Sequence, residues 1–289
     1  MERIIFGDNQ FFGVNHSSDE KSRAQAIKFK DNQSILNVLD IAIEEGIYTF
    51  MCTTHDRMVE ICPTIRSDKK YENYKIYPCM PYAHKYANAV TELGFMGSIK
   101  QYLPGNIFST VAKGGLAFMQ KDFISLMELL VDAEMKMFKG IATPVIFLQN
   151  VVTDLLLGLG MTDFLVAFHY YIREKYDAEA GFITMNLPLL LNVLESGGIK
   201  NPTICASINK IGFRMSGGKQ LYEKVIAEKR CKLIAMQVFA AGSVAPKEAL
   251  EYVCNLEGID SILFGASSRG NIKNTKELID RFSQKTESV

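Results

Sequence analysis

Ser34-Ile35-Leu36-Asn37-Val38-Leu39-Asp40-Ile41-Ala42-Ile43-Glu44-Glu45-Gly46-Ile47-Tyr48-Thr49-Phe50-Met51-Cys52-Thr53-Thr54 holds both of the periods from which the fold is read. Ile35, Val38, Leu39, Ala42 and Ile43 fall at i, i+3, i+4, i+7 and i+8, one apolar face of a helix that Gly46 ends. Tyr48–Thr53 follows as a short run of aromatic and β-branched residues, bounded by polar ones, and reads as a strand.

The same pair repeats along the chain. Candidate strands are Arg3–Gly7, Tyr48–Thr53, Lys75–Met80, Pro144–Gln149, Phe182–Leu187, Thr203–Ile208, Lys232–Phe239 and Ser261–Gly265. Helical spacing recurs at Phe123, Leu126, Met127 and Leu130, and again at Ile272, Ile279 and Phe282. Near-continuous apolar strands separated by helices imply a parallel sheet covered by helices. Eight such units predict an α/β protein, a single-domain (β/α)8 TIM barrel over residues 1–289, with a doubly wound sheet as the alternative. Two connections exceed what a barrel needs, about residues 9–31 and 82–120, and both follow the carboxyl end of a strand.

Thirty-two basic residues balance 32 acidic ones, which removes the electrostatic footprint of a nucleic-acid or anionic-membrane binder. The expected partner is a small-molecule substrate. The six cysteines include no C-x-x-C pair, and the amino terminus shows no secretory pattern. The greasiest stretch, from Ala142 to Tyr171, is broken by Pro144, Asp154 and Asp163. A cytoplasmic protein with reduced, packed thiols is the expectation.

Polar residues gather past the expected strand ends, the face where barrels of this class carry their sites. Asp8, Asn9, Gln10, Gln149, Asn150 and Asn209 are candidates for binding substrate. His55, Asp56, Tyr82 and His84 are candidates for moving protons. Lys210, directly after strand six, would form an imine if burial lowered its pKa; a solvated lysine is the competing reading. His16, His55 and His84 lack any spacing that puts two on one face, so no metal site is expected. Phe264-Gly265-Ala266-Ser267-Ser268-Arg269-Gly270-Asn271 runs from a strand through small residues into a helix. Backbone N–H groups, the Ser267 and Ser268 hydroxyls and the Arg269 guanidinium would there face a phosphate; a serine helix cap with a solvated arginine is the alternative.

Ile41–Phe50, Lys232–Gly242 and Ile259–Ser268, in this order, resemble the aldo/keto reductase family. The resemblance implies a (β/α)8 barrel that binds NADP(H) across its C-terminal face and reduces carbonyls with an Asp, Tyr, Lys, His tetrad. Here those positions fall on Met51, Asp56, Met80 and Gln149 or Asn150, and the aromatic that stacks on nicotinamide falls on Met236. Asn186 stands where the family holds the nicotinamide carboxamide, and Gly265, Ser267, Ser268 and Arg269 stand in its phosphate loop, with Gln237 at the strand-seven end of the cofactor cleft. The family's later adenine-side Arg and Asn fall on Asn271 and Thr275. The expected protein is a divergent reductase-like barrel that acts on a small carbonyl or hydroxyl compound through a non-standard residue set. Two alternatives are a Schiff-base aldolase or lyase using Lys210, and a catalytically inactive nucleotide-binding or scaffolding barrel.

Overall fold

The computed structural model describes residues 1–12, 19–82 and 116–286. Eight parallel strands, β1 Ile4–Gly7, β2 Thr49–Thr53, β3 Lys75–Met80, β4 Val145–Leu148, β5 Glu179–Thr184, β6 Thr203–Ser207, β7 Lys232–Met236 and β8 Ser261–Phe264, close in chain order into one barrel. Closure comes from β8 pairing with β1, Ile4 opposite Ile262 and Phe6 opposite Phe264, which excludes the open doubly wound sheet. Ten α-helices lie among the described residues: α1 Asp19–Lys28, α2 Asn32–Glu44, α3 Arg57–Ser67, α4 Leu116–Met135, α5 Asn150–Gly158, α6 Asp163–Tyr176, α7 Leu187–Ser196, α8 Lys219–Ala227, α9 Pro246–Cys254 and α10 Arg269–Thr286. Among the described residues no helix is long and apolar enough to cross a membrane.

Local chemistry sets the helix ends. Asp31 accepts from the Ser34 N–H at 2.8 Å and starts α2, and Gly46, at φ +79°, closes the turn after it. The first long connection is less irregular than its composition implies, because α1 lies inside it. In the second, α4 begins at Leu116, before the expected end of the loop, and residues 83–115 are outside the described set.

The strands have two apolar faces. Inward-register residues Ile5, Met51, Tyr77, Cys79, Val145, Phe147, Ile183, Cys205 and Ile234 form one buried cluster that fills the barrel. Residues of the opposite parity, among them Phe6, Phe50, Ile76, Ile146, Phe182, Ile204, Leu233 and Ile262, join the helices in the larger outer core. That double burial explains why the strands read as continuous apolar runs.

β5 sits three residues earlier than its apolar run implied. Gly181 hid its start, since glycine weakens a strand pattern. The strand needs glycine there: a Cβ at Gly181 would lie 2.3 Å from the Phe147 ring on β4, the residue it pairs with. At the other end Met185 and Asn186 leave the strand, and Asn186 caps α7. β7 likewise stops at Met236, because Gln237 takes a left-handed φ of +54°.

Gly181→Ala should overpack this layer and cost about 1–3 kcal/mol, seen as a lower urea midpoint at unchanged slope. Gly158→Ala, where a Cβ meets nothing within 4 Å, should leave the midpoint unchanged or raise it. Asn209→Ala, which removes a buried amide making two hydrogen bonds, should cost about 2 kcal/mol in the same measurement.

Candidate functional site

The C-terminal mouth of the barrel begins with Asp8, one residue beyond β1. Its carboxylate is buried, 7% exposed. Oδ2 accepts from both the Thr53 N–H and the Thr53 hydroxyl, each at 2.7 Å, which ties the ends of β1 and β2 together. Burial raises the Asp8 pKa above the ordinary aspartate value, against the lowering effect of the two Thr53 donors. Gln10, expected to face substrate, is buried in the seam between β1 and β8. Its Nε2 donates to the Gly7 carbonyl at 2.7 Å, and its Oε1 is buried with no partner. Gly265 makes that seam possible, since a Cβ there would stand 2.1 Å from Gln10 Oε1. Asn9 is exposed.

His55 is half-buried beside β2. Its ring stacks on Phe12 at 4.2 Å with 5° between planes and meets Tyr82 at 4.9 Å. Its Nδ1 accepts from the Arg57 N–H at 3.1 Å. Tyr82 is half-buried, and burial together with the charges of Asp8 and Asp56 holds its phenol pKa above the ordinary value. Asp56 is exposed at the start of α3 and makes no side-chain cap there. The structure therefore brings His55, Tyr82 and Asp8 to one side of the mouth. His16 and His84 lie outside the described residues. Cys52 is buried, and burial with the nearby Asp8 charge raises its thiol well above the ordinary range, the reverse of an activated nucleophile.

On the other side, Gln149 and Asn150 are half-buried at the start of α5, where the Gln149 N–H donates to the Met80 carbonyl at 2.8 Å. Asp154, one turn into α5, accepts from the Thr184 hydroxyl at 2.5 Å and the Met185 N–H at 3.0 Å. Tyr222 donates to the Met185 carbonyl at 2.6 Å and accepts from the Leu187 N–H at 3.0 Å. These two side chains fix the turn that presents Met185 and Asn186. Asn186 itself uses Oδ1 on the Leu189 N–H at 3.4 Å. The fully buried Ser207 hydroxyl lies 2.7 Å from Gln237 Oε1 and 2.9 Å from Met185 Sδ, joining β5, β6 and β7 at the rim.

Two expected site residues are placed elsewhere by their surroundings. Asn209 is fully buried and clamps its own turn: Oδ1 accepts from the Phe213 N–H and Nδ2 donates to the Phe213 carbonyl, both at 2.8 Å. Its amide is committed to the loop, not to a ligand. Lys210 is exposed and pairs with Glu248 on α9 at 2.6 Å, so the burial that an imine-forming lysine requires is missing.

The loop after β8 leads into α10. Ser268 acts as its cap, its Oγ accepting weakly from the Asn271 N–H at 3.4 Å and its carbonyl from Ile272. A Cβ at Gly270 would meet nothing within 4 Å, so the first turn is open on that side. The Lys28 ammonium, from the end of α1, donates to the Ser267 carbonyl. Arg269 pairs with Glu44 and, at 3.7 Å, with Glu45 at the end of α2. Its guanidinium is exposed and stands beside the loop with these acidic partners, while Ser268 takes the helix-cap role.

Thr53 is one of the polar residues expected past strand two, whereas three others that shape this mouth were not singled out from the sequence: Asp154, Ser207 and Lys28. Ser207 has a usable signal, its even spacing from the inward Cys205. Lys28 has none, because it reaches Ser267 across most of the chain. A further buried carboxylate, Glu134 on α4, accepts from the Thr54 hydroxyl and backs β2. Among the described residues no group of three His, Cys, Asp or Glu side chains is placed to hold a metal ion.

No family model and no curated protein matches this chain. Solved structures do. Two structures titled "putative aldo-keto reductase" from Pseudomonas aeruginosa match with TM-scores of 0.57 and 0.56 at 11% identity, over 97% of this chain and 90% of theirs. Gox0644 in its apo form matches with a TM-score of 0.51 at 8% identity, over 98% of this chain and 89% of its own. A point variant of Gox0644 in complex with NADPH gives 0.51 at 7% identity over the same shares. At such identities the likeness is one of fold: this chain shares the whole barrel of the aldo-keto reductase structures while diverging from them in sequence.

Proposed function

We propose that this chain binds NADP(H) across the C-terminal face of its barrel and acts as an oxidoreductase on a small carbonyl or hydroxyl compound. The start of α10 carries the reading. There, first-turn N–H groups, the Ser267 and Ser268 hydroxyls, an open approach over Gly270 and the cations Lys28 and Arg269 meet in one loop. A helix amino terminus with two nearby cations suits a phosphate dianion. Glu44 and Glu45 keep Arg269 in position until an anion competes for it. The NADPH complex of Gox0644, a barrel of the same fold, supports the choice of nucleotide.

When bound, the nucleotide supplies a hydride to a carbonyl carbon, and the protein has to orient it and manage the proton. Gln237, its Oε1 set by Ser207, and Asn186 on its braced turn would hold the nicotinamide end. His55 and Tyr82 stand where the substrate would enter. The four tetrad positions carry Met51, Asp56, Met80 and Gln149 or Asn150, and both methionines are buried in the cores. The proton therefore has to come from a different group than in the family. The exposed, ion-paired Lys210 lends no support to the Schiff-base reading. We place the protein in the cytoplasm, which suits its six free cysteines.

Titration with NADPH, followed by nucleotide fluorescence and thermal unfolding, should give micromolar affinity. At a hundredfold excess over Kd the stability gain should be about 2.7 kcal/mol. Lys28→Ala should weaken binding about tenfold, the loss of one charge-assisted contact, and Lys210→Ala should not change it. Absence of binding up to millimolar NADPH would overturn the proposal. Tight binding without turnover on any carbonyl compound would leave the non-catalytic nucleotide-binding reading in its place.

A further inference from the structure

One carboxyl group at the mouth ties β1 to β2 through only one of its two oxygens. Asp8 stands at the end of β1, buried beside the inward-register residue Thr53. Thr53 gives both its N–H and its hydroxyl to the same oxygen, Oδ2. No other residue among those described donates a hydrogen bond to Oδ1. A buried carboxylate is ordinarily paired with a cation, and no cation among the described residues offsets this one. The titratable groups around it are Cys52 from β2, Cys79 from β3, and Tyr82 and Asp56 beyond those strands; each feels the Asp8 charge directly or shares its neighbours.

The other candidates for moving a proton are less suited. His55 is covered by Phe12 and Tyr82, with Nδ1 occupied by a backbone N–H. Tyr82 is made a weaker acid by its surroundings. Asp56 is exposed to solvent.

We propose that Asp8 is the catalytic residue that exchanges a proton with the substrate oxygen, Thr53 holding one carboxyl oxygen while Oδ1 meets the ligand. The inference rests on the NADP(H) reading of the same mouth. In the reducing direction the carbonyl carbon gains the hydride, the C=O π pair moves onto oxygen, and the Asp8 O–H bond breaks to give that oxygen its proton. Water then reprotonates the carboxylate, and NADP⁺ is the oxidised product. Burial favours the acid form that the step requires.

Infrared titration of the ligand-free protein, with the Asp8→Asn spectrum subtracted, isolates the Asp8 carboxyl band. Its midpoint should lie above the ordinary aspartate value of 3.8. Single-turnover oxidation of NADPH with 4-nitrobenzaldehyde and a panel of short aldehydes and ketones should slow about a hundredfold or more in Asp8→Asn. Thr53→Val, which keeps the backbone donor, serves if Asp8→Asn does not fold. It should raise the carboxyl midpoint, and the pH above which turnover declines should rise in step. An ordinary midpoint, undiminished turnover in Asp8→Asn, or Thr53→Val moving one quantity without the other would overturn the assignment and leave the cofactor reading standing. A parent protein that binds NADPH but oxidises none of it with any carbonyl compound overturns it as well. Failure of NADPH to bind at all removes the cofactor reading itself, and with it this role for Asp8.

Discussion

A closed barrel of eight parallel strands leaves no edge, so its inward side chains must share a single small interior. Everything at the mouth depends on how that interior is filled. Phe147 occupies the middle of it, and the cost of so large a ring is met by the missing side chain at Gly181 on the next strand. Met51, Tyr77, Cys79 and Cys205 pack in the same interior cluster. Because the inside is packed and not porous, a ligand has only the rim to bind. The rim residues are accordingly the first polar ones in each inward file, Thr53 above Met51 and Ser207 above Cys205.

The rim divides by the kind of work its polar groups do. On the β4 to β7 side, Asp154, Tyr222 and Asn209 satisfy backbone groups of turns, and their removal would loosen loops before it altered chemistry. On the β1 to β3 side the Asp8 carboxyl has no cationic partner among the described residues and lies near the thiols of Cys52 and Cys79 and the phenol of Tyr82. Burial without such a partner favours the neutral acid over the carboxylate at this strand end. The β8 side is the converse, with Lys28 and Arg269 beside the first turn of α10, Arg269 paired with the exposed Glu44 and the half-buried Glu45.

Much of this was legible in the chain itself. The helix from Ile35 to Ile43, the stop at Gly46 and the strand Lys75–Met80 follow from period and punctuation alone. Two-faced burial also made the barrel readable, since continuous apolar strands between helices admit few architectures. The shifted β5 was not legible, because glycine is a poor strand former and only the Phe147 ring explains it. Asn209 and Lys210, side by side in sequence, looked alike as mouth residues. One turned inward to clamp a turn and the other outward to Glu248, a difference set by backbone geometry that residue type does not record. Lys28 and Ser267 are joined only by closure of the barrel, so no local signal connects them. Asp8 was visible as a polar residue after a strand, but its burial against Thr53 with no cation among the described residues is a property of the packed neighbours.

The turn after β7 carries three non-glycine residues in the left-handed region, Gln237 at φ +54°, Ala240 at +47° and Ala241 at +57°. Each is held there against a cost of about 1–2 kcal/mol. At Ala240 and Ala241 a glycine would relax the backbone and remove only a methyl group. At Gln237 the same change would also remove the amide that Ser207 orients at the rim. Relief of backbone strain is therefore opposed by a side-chain hydrogen bond at Gln237 and by no such bond at the two alanines.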